Sequence, residues 1–522
     1  MEDYKSIFKT RNLFLLCLFI IAIGLSLSKP LIALGQYGLL VLWLFSGGIK
    51  QKLISFFQNK TALALASLYI LSLFGLLYTS NFDYAIDDIR RKIPLFFLPF
   101  YISGFSPITK KEFSLIFKVY VAGVLFATFW SVFVMLGGTS ETIIDKRALS
   151  RYNSHIRFGL EICMAIFGSA YYFWIKKTTR IKIIWLAIAS WLICFLFILS
   201  LFTGVVILIL SSIFMFSIYS LRSKNPWLKY SFLFASLALI VLFSFTLKNN
   251  ISNYYQNENI VQLEILEHTK SGEAYAHDTS TVRQFDKENG YYVWQNIAWK
   301  EIHTEWKKRS EIPFQANDLK DQKLTTTLIR FLSSKGVYKN ADAIIDLSEK
   351  EIKAIEKGVS NYKYLSMNNI DKRLHKIIWE FDYYNQGRDY NGHSVIMRWA
   401  YWKTAYRIFK QNIFLGVGTG DVPDAFDKQY EKEKSLLLPR YRLRAHNQYI
   451  TYAVTFGVLG LLILMLSLFY PFFKNKMYNH YLYLAFFSII LLSMLTEDTL
   501  ETQVGITFFA FFNTIFLLKE KH

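Results

Sequence analysis

Apolar residues in this chain come in blocks rather than at intervals. Runs close to the length that crosses a bilayer, about 20 residues, recur through the first half and again after Asn447. They predict twelve spans, at roughly 12–28, 31–49, 61–79, 93–106, 113–137, 156–175, 181–200, 203–221, 228–247, 448–473, 479–496 and 503–518. The fourth is the shortest and holds Pro94 and Pro99. The first follows Lys5, Lys9 and Arg11, as the apolar part of a signal peptide would. No small-residue cleavage site follows it and the second run comes directly after, so it is expected to stay attached as a span.

The pattern changes between the ninth and tenth runs, where nearly two hundred residues are mixed in character. A structureless loop of that length is improbable, so a folded, mainly helical domain is expected. In "DLSEKEIKAIEKGV", Ser348 and Glu351 fit a capping box, Leu347 and Ile352 fit a hydrophobic staple, and Gly358 offers the stop. "QKLTTTLIRFLSSKG" predicts a second helix ending at Gly336. "GYYVWQNIAW" is rich in β-formers and predicts a strand, although both of its faces are apolar. In "HSVIMRWAYWKTAYRIFKQN", Val395, Trp399, Trp402, Tyr406 and Phe409 recur at helical spacing with Arg398 beside them, which predicts a helix lying on the membrane or on the bundle. "GVGTGDVP" ends it as a turn. It lacks the Lys-Ser/Thr and the preceding strand that a phosphate loop needs.

Composition agrees with the blocks: 53% of residues are hydrophobic, 18% aromatic, and mean hydropathy is positive at +0.25. A net charge of +20 invites a nucleic-acid reading, but its distribution argues against one. Lysine and arginine gather after spans two (Lys50, Lys52, Lys60), four (Lys110, Lys111), six (Lys176, Lys177, Arg180, Lys182), eight (Arg222, Lys224, Lys229) and ten (Lys474, Lys476), and at the end (Lys519, Lys521). The connections after spans seven and eleven have none. This bias puts both ends in the cytoplasm and the 248–446 region outside. The expected fold class is an all-α polytopic membrane protein of about 12 transmembrane helices, divided into spans 1–9 (1–247), an outer domain (248–446) and spans 10–12 (447–522). Cys17, Cys163 and Cys194 all fall in predicted spans, which implies neither a disulfide framework nor a metal set.

Arginines outside the membrane run against the same bias and call for another reason. Arg440, Arg442 and Arg444 alternate just before His446, Arg398 lies on the amphipathic helix, and Arg157 opens span six from the outer side. Guanidinium grips phosphate oxygens with two prongs, so a polyphosphate at the outer leaflet is the natural ligand. His446 can take a proton from a hydroxyl, and neighbouring cations would keep it neutral. Each residue also has a plainer reading. Arg157 would snorkel to headgroups, Arg440 and Arg442 would be solvated, Arg398 would pack on Trp399 and Trp402, and His446 with Asn447 would cap span ten. Their convergence on one face favours the site. Glu497, Asp498 and Glu501 between spans eleven and twelve offer a second carboxylate base, or are solvated connectors.

The order of features resembles the O-antigen ligase and polymerase superfamily: many spans, then an outer loop carrying "R-W-x-x-W" (from Arg398), "FLGVGTGDVPDAF" and "RAHNQYITY-x-x-x-FGVLGLL", then final spans. The specific residues lie between Ser394 and Leu462, and the stretch from "NGYYVWQNIAWKEIHTEWKKRSEIPF" through "EKGVSNYKY" resembles an insert of relatives from Bacteroidota. The resemblance implies a multi-pass enzyme of the bacterial inner membrane with a periplasmic active site. It would move a glycan from undecaprenyl pyrophosphate to an acceptor hydroxyl, most simply lipid A-core, with inversion, no metal and no cofactor. His446 matches the family's catalytic histidine and Arg398 its loop arginine, while Arg157 matches an arginine of an inner span. Relatives often carry a basic residue near the start of span eight, where this chain has "LFTGV" (Leu201 to Val205); Arg444, with Arg442, is placed to substitute in holding pyrophosphate. A polymerase of lipid-linked repeats and a protein O-oligosaccharyltransferase share this donor chemistry. A lipid or glycan transporter is the alternative from another class, and it would call for more central charges than Glu161 and for internal repeats.

Overall fold

The structure is a computed structural model that describes residues 2–139, 150, 154–199, 201–256, 262–278, 280, 286–388 and 390–518. Lys519, Lys521 and position 200 of the seventh expected span lie outside the described residues. Among those described, eight helices are long and apolar enough to cross a membrane. They become nine if Lys29–Phe45 and Ile49–Gln58, bent by 117°, count as one span. Two shorter apolar helices, Tyr481–Thr496 and Gln503–Leu517, coincide with the last two expected runs. The fourth run is the second half of a 22-residue helix, Phe82–Ser103, that begins in charged sequence and contains both prolines.

Contacts divide the chain into two compact units, Met1–Lys229 with Arg398–His522, and Tyr230–Met397. The second is built on a small apolar core in which Trp306, Leu328, Phe331, Leu332, Ile344 and Ile355 are fully buried. Its helix Leu324–Lys335 ends on Gly336 at φ +69, and Glu349–Glu356 begins with the expected box. There the Glu351 carboxylate accepts from Ser348 N at 2.9 Å, and Leu347 and Ile352 are both buried. The strand expected over "GYYVWQNIAW" is corrected to a two-residue rung. Tyr291–Tyr292 pairs antiparallel with Lys287–Glu288 across an Asn289–Gly290 turn. The chain then leaves the ladder because Asn296 takes φ +56 and because Val293, Ile297 and Ala298 are all buried, which a strand with two alternating faces could not achieve on one side.

In the first unit the C-terminal helices are threaded among the N-terminal ones. Gln448–Lys474 packs on Lys60–Phe74, Gln503–Leu517 on Phe82–Ser103, and Tyr481–Thr496 on both His155–Ile175 and Phe202–Arg222. Aromatic rings supply much of this contact, with Phe512 4.9 Å from Tyr120 and 5.6 Å from Phe486 between centroids. One polar pair lies among them: buried Tyr483 donates to Asn513 Oδ1 at 2.9 Å.

The helix Gln448–Lys474 is broken at Gly457, which takes φ +64 and ψ −154. A break leaves backbone groups that a bilayer cannot satisfy, at several kcal/mol each. The turn-rich segment after the Arg398 helix supplies the partners. Val417 N and Gly418 N donate to Val454 O and Thr455 O, both at 2.9 Å, while Ile413 O and Phe414 O accept from Val458 N and Leu459 N at 2.8 and 3.4 Å. These four groups are the ones an unbroken helix would have paired with each other. The segment is pinned further on, where Thr419 donates to Ser72 O at 2.7 Å and the Asp421 carboxylate accepts from Ser80 N and Asn81 N at 2.8 and 2.7 Å. Such close backbone approach needs glycine on both sides. A Cβ at Gly416 would stand 2.3 Å from Thr455 C, and one at Gly457 2.4 Å from Phe414 C.

Gly457→Ala is therefore expected to lower the melting temperature in detergent by at least about 3 °C, from about 1–3 kcal/mol of backbone strain and the displaced strap. Gly47→Ala, at φ +74 but with nothing within 4 Å of its Cβ, reports the conformational part alone and should cost less. Equal losses in the two variants, read by differential scanning fluorimetry, would show that the strap contact adds nothing.

Candidate functional site

The helix Ser394–Gln411 buries Ala400, Tyr401, Thr404, Ala405 and Ile408 and leaves Trp399 and Tyr406 exposed. Of the apolar stripe expected along it, Trp399 and Tyr406 thus look outward while Val395, Trp402 and Phe409 are partly buried, and Tyr401 with smaller side chains completes the contact. From this helix two donors reach the segment ahead of His446: Tyr401 OH donates to Tyr441 O at 2.8 Å, and Trp402 Nε1 to Ala445 O at 2.9 Å. Tyr430 OH adds a third, to Leu443 O at 2.7 Å. Arg398 lies one turn before Trp402, so the residues that fix the loop also fix the arginine beside it.

His446 has φ +48, an uncommon conformation for a residue with a side chain. The cap of the following helix is Asn447, whose Oδ1 accepts from Ile450 N at 3.1 Å and whose Nδ2 donates to Leu495 O at 2.9 Å. His446 takes no part in that cap. Its ring centroid lies 5.9 Å from that of Tyr401, and its Nδ1 is 3.9 Å from Glu497 Oε2.

Glu497 is the point on which the expected residues converge. Its Oε1 is 2.8 Å from Arg398 Nη2 and its Oε2 3.1 Å from Arg157 Nη1, while Arg157 Nη2 donates to Asp498 O at 3.0 Å. Arg444 places Nε 3.3 Å from Asp498 Oδ2 and Nη1 3.1 Å from Glu501 Oε2. Arg157, Arg398, Arg444 and His446 are thus brought together around one carboxylate-bearing loop. Arg442 is not. Its Nε donates to Leu437 O at 3.1 Å, within its own loop, and Arg440 lies over the ring of Tyr441.

The plain reading of Glu497, Asp498 and Glu501 as solvated connectors does not hold, since all three are buried. Two further charges complete the cluster. Lys92, from the helix Phe82–Ser103, is 3.2 Å from Glu501 Oε1 and 2.6 Å from Asp88 Oδ2. Gln448 donates to Glu501 and Thr451 to Asp498, at 3.2 and 2.7 Å. Lys92 and Asp88 were hidden in "DDIRRKIP", a charge run that reads as the edge of a span; the signal is that they sit four apart, on one helical face.

Exposure sorts the cluster into two layers. The side chains of Arg398, His446 and Arg444 keep 34, 32 and 25% of their surface, whereas Arg157 and the three carboxylates keep under a tenth. Burial pushes the His446 imidazole below its ordinary value, and Arg398 and Arg444 push the same way, against Asp498 and Glu497. The net direction favours the neutral ring. Burial raises the Asp498 carboxyl, with Arg444 opposing. Burial works on Glu501 in the same direction, but Lys92 and Arg444 outweigh it and hold that carboxyl well below its usual range. Among the described residues no group of three His, Cys, Asp or Glu side chains is arranged to hold a metal ion. The arrangement can hold an anion at two half-exposed guanidinium groups and accept a proton beside them.

None of the curated proteins compared with the chain matches it. The family of membrane glycan transferases described as O-Antigen ligase does: its profile matches residues 354–465, which include Arg398, Arg444 and His446, and bears out the resemblance to the O-antigen ligase superfamily.

Proposed function

We propose that the chain is an O-antigen ligase-type glycosyltransferase of the bacterial inner membrane. It moves a glycan from undecaprenyl pyrophosphate to a hydroxyl of lipid A-core on the periplasmic side, and its twelve helical runs cross the membrane with both ends in the cytoplasm. The observation that carries this is the outer layer of the cluster, in which the part-exposed His446 ring and the part-exposed guanidinium groups of Arg398 and Arg444 gather on one buried carboxylate loop.

In this reading Arg398 and Arg444 hold the pyrophosphate and stabilise charge on it as it leaves. The acceptor oxygen attacks the anomeric carbon as the bond to the pyrophosphate oxygen breaks. That bond's electron pair leaves with undecaprenyl pyrophosphate, the acceptor proton passes to His446, and the configuration inverts in one step. Glu497, near Nδ1, stabilises the imidazolium once it forms. Arg157 is buried and spends both Nη groups on the 497–498 loop, so its part is to hold that loop rather than to meet substrate first. Fixed arginines supply the electrostatic stabilisation, and no metal is assigned a step.

His446→Ala should lower transfer at least about 100-fold, the usual worth of a general base, while the protein stays folded in the membrane. Near-normal transfer from purified lipid-linked donor to lipid A-core would remove the base. Arg398→Lys keeps the charge and loses the fork, and a loss of about tenfold or more in kcat/KM is expected. Unchanged kinetics would leave Arg398 a packing residue. The acid limb of kcat/KM should lie below pH 6.5, the ordinary histidine value. Because the Glu497 charge raises the His446 pKa, Glu497→Gln should move that limb to lower pH. A limb that stays in place or moves up would dissociate the pair.

A further inference from the structure

The unit Tyr230–Met397 contains two adjoining cavities that the chemistry above does not use. The first, of about 490 Å³, is walled by the hairpin at Lys287–Tyr292 and the helix Asn369–Asn385. The second, of about 530 Å³, runs along the end of the helix Pro226–Gln256. They share Tyr254 and His375, so the two cavities of this trough meet at those side chains.

One wall is a rigid ladder. Arg330 lies over Trp379 at 5.0 Å, Trp379 stacks on Tyr383 at 4.8 Å between centroids, and Arg388 lies over Tyr383 at 5.1 Å. Glu288 anchors Arg330, with Nε 2.7 Å from Oε1, and Asp286 anchors Arg388 at 2.6 Å. The rest of the trough is lined by planar polar groups. Asp382 accepts from Tyr254 OH at 3.1 Å and from Gln386 Nε2 at 2.8 Å. Beyond them stand Asn249, Asn250, Asn253 and Gln256, four amides within the last eight residues of the helix.

We propose that this trough binds a neutral oligosaccharide. Each amide offers both a donor and an acceptor in one plane, and each carboxylate accepts from two hydroxyls, which suits the dense hydroxyl array of a sugar. The faces of Trp379 and Tyr383 are taken by each other and by the two arginines, so these rings present edges to the trough and fix the spacing of its polar groups. An acyl chain would leave these polar groups unpaired at a cost. A phosphate or an acidic glycan has no surplus of positive charge to meet, since Lys287, Arg388 and Lys363 in the two linings are matched in number by Glu288, Asp382 and Asp371. His375 adds none, being held neutral chiefly by burial. The proposal rests on the glycan-transfer reading for what it implies, that the chain grips the glycan itself as well as its pyrophosphate.

The test is binding, not turnover, on the full chain in detergent. Two probes are used: the oligosaccharide released by mild acid from the lipid-linked donor, and the core oligosaccharide released from lipid A-core. Each is titrated by saturation-transfer NMR and by tryptophan fluorescence. Binding of the first probe assigns the trough to the donor chain and binding of the second to the acceptor; either supports the proposal. Asp382→Asn, and as a surface control on folding the double change Asn253→Ala with Gln386→Ala, should each weaken that binding about tenfold. No binding of either probe, or unchanged affinity in both variants, overturns it. His446→Ala should bind as the wild type does, so failure of the catalytic reading leaves this measurement intact, and the reverse holds too.

Discussion

Guanidinium groups from distant parts of a chain repel one another, and burying even one without a counter-charge is costly. The site exists because a six-residue connection, from Glu497 to Thr502, brings three carboxylates into the place where Arg157, Arg398, Arg444 and Lys92 would otherwise collide. With Asp88 the whole cluster holds as many negative charges as positive ones, four of each, and the two arginines nearest the surface belong to that balance. The charges hold each other in fixed geometry, so the two arginines and the histidine at the surface are aimed before any substrate arrives. Preorganised electrostatics of this kind is what the proposed transfer from a pyrophosphate would draw on, because its transition state differs from its ground state chiefly in where negative charge lies.

A second layer of control comes from uncharged donors. Tyr401, Trp402 and Tyr430 each spend one hydroxyl or indole N–H on a backbone carbonyl between Tyr441 and Ala445. They define the short path that delivers His446 in its left-handed conformation. Strain of that kind persists only where the surroundings over-determine it. The aromatic character of "R-W-x-x-W" is thus explained on two counts: Trp402 builds the loop, and Trp399 is left at the surface where an amphipathic ring suits a headgroup region.

Much of this was legible in the sequence, and the reasons differ by element. The apolar helices read well because apolarity over about twenty residues is a local property, although only eight or nine of those described are long and apolar enough to cross a membrane. The capping box at Ser348 and the stop at Gly336 read well for the same reason. That His446, Arg398 and Arg444 come together was legible because arginines in a region expected outside the membrane run against a general bias and because the motif around them is specific. Glu497, Asp498 and Glu501 were seen and undervalued, since a short acidic connection between spans looks solvated until its neighbours are known. Lys92 and Asp88 were missed because their helix begins eleven residues before its apolar part. Arg442 matched the same alternation as Arg444, but a one-residue step decides which side chain turns inward, and that depends on the three carbonyl clamps. The strand at Tyr291 failed through Asn296, whose positive φ no propensity scale anticipates.

The strap across the break at Gly457 has an evolutionary corollary. Its contacts are made by main-chain N–H and C=O groups, which every residue but proline carries alike. Side chains at Ile413, Phe414, Val417, Val454 and Val458 can therefore drift without changing the register in which the two segments meet, whereas Gly416 and Gly457 cannot. The frame that carries the histidine is encoded by what two positions lack, which leaves the rest of both segments free to adapt to lipids of different thickness or to acceptors of different bulk.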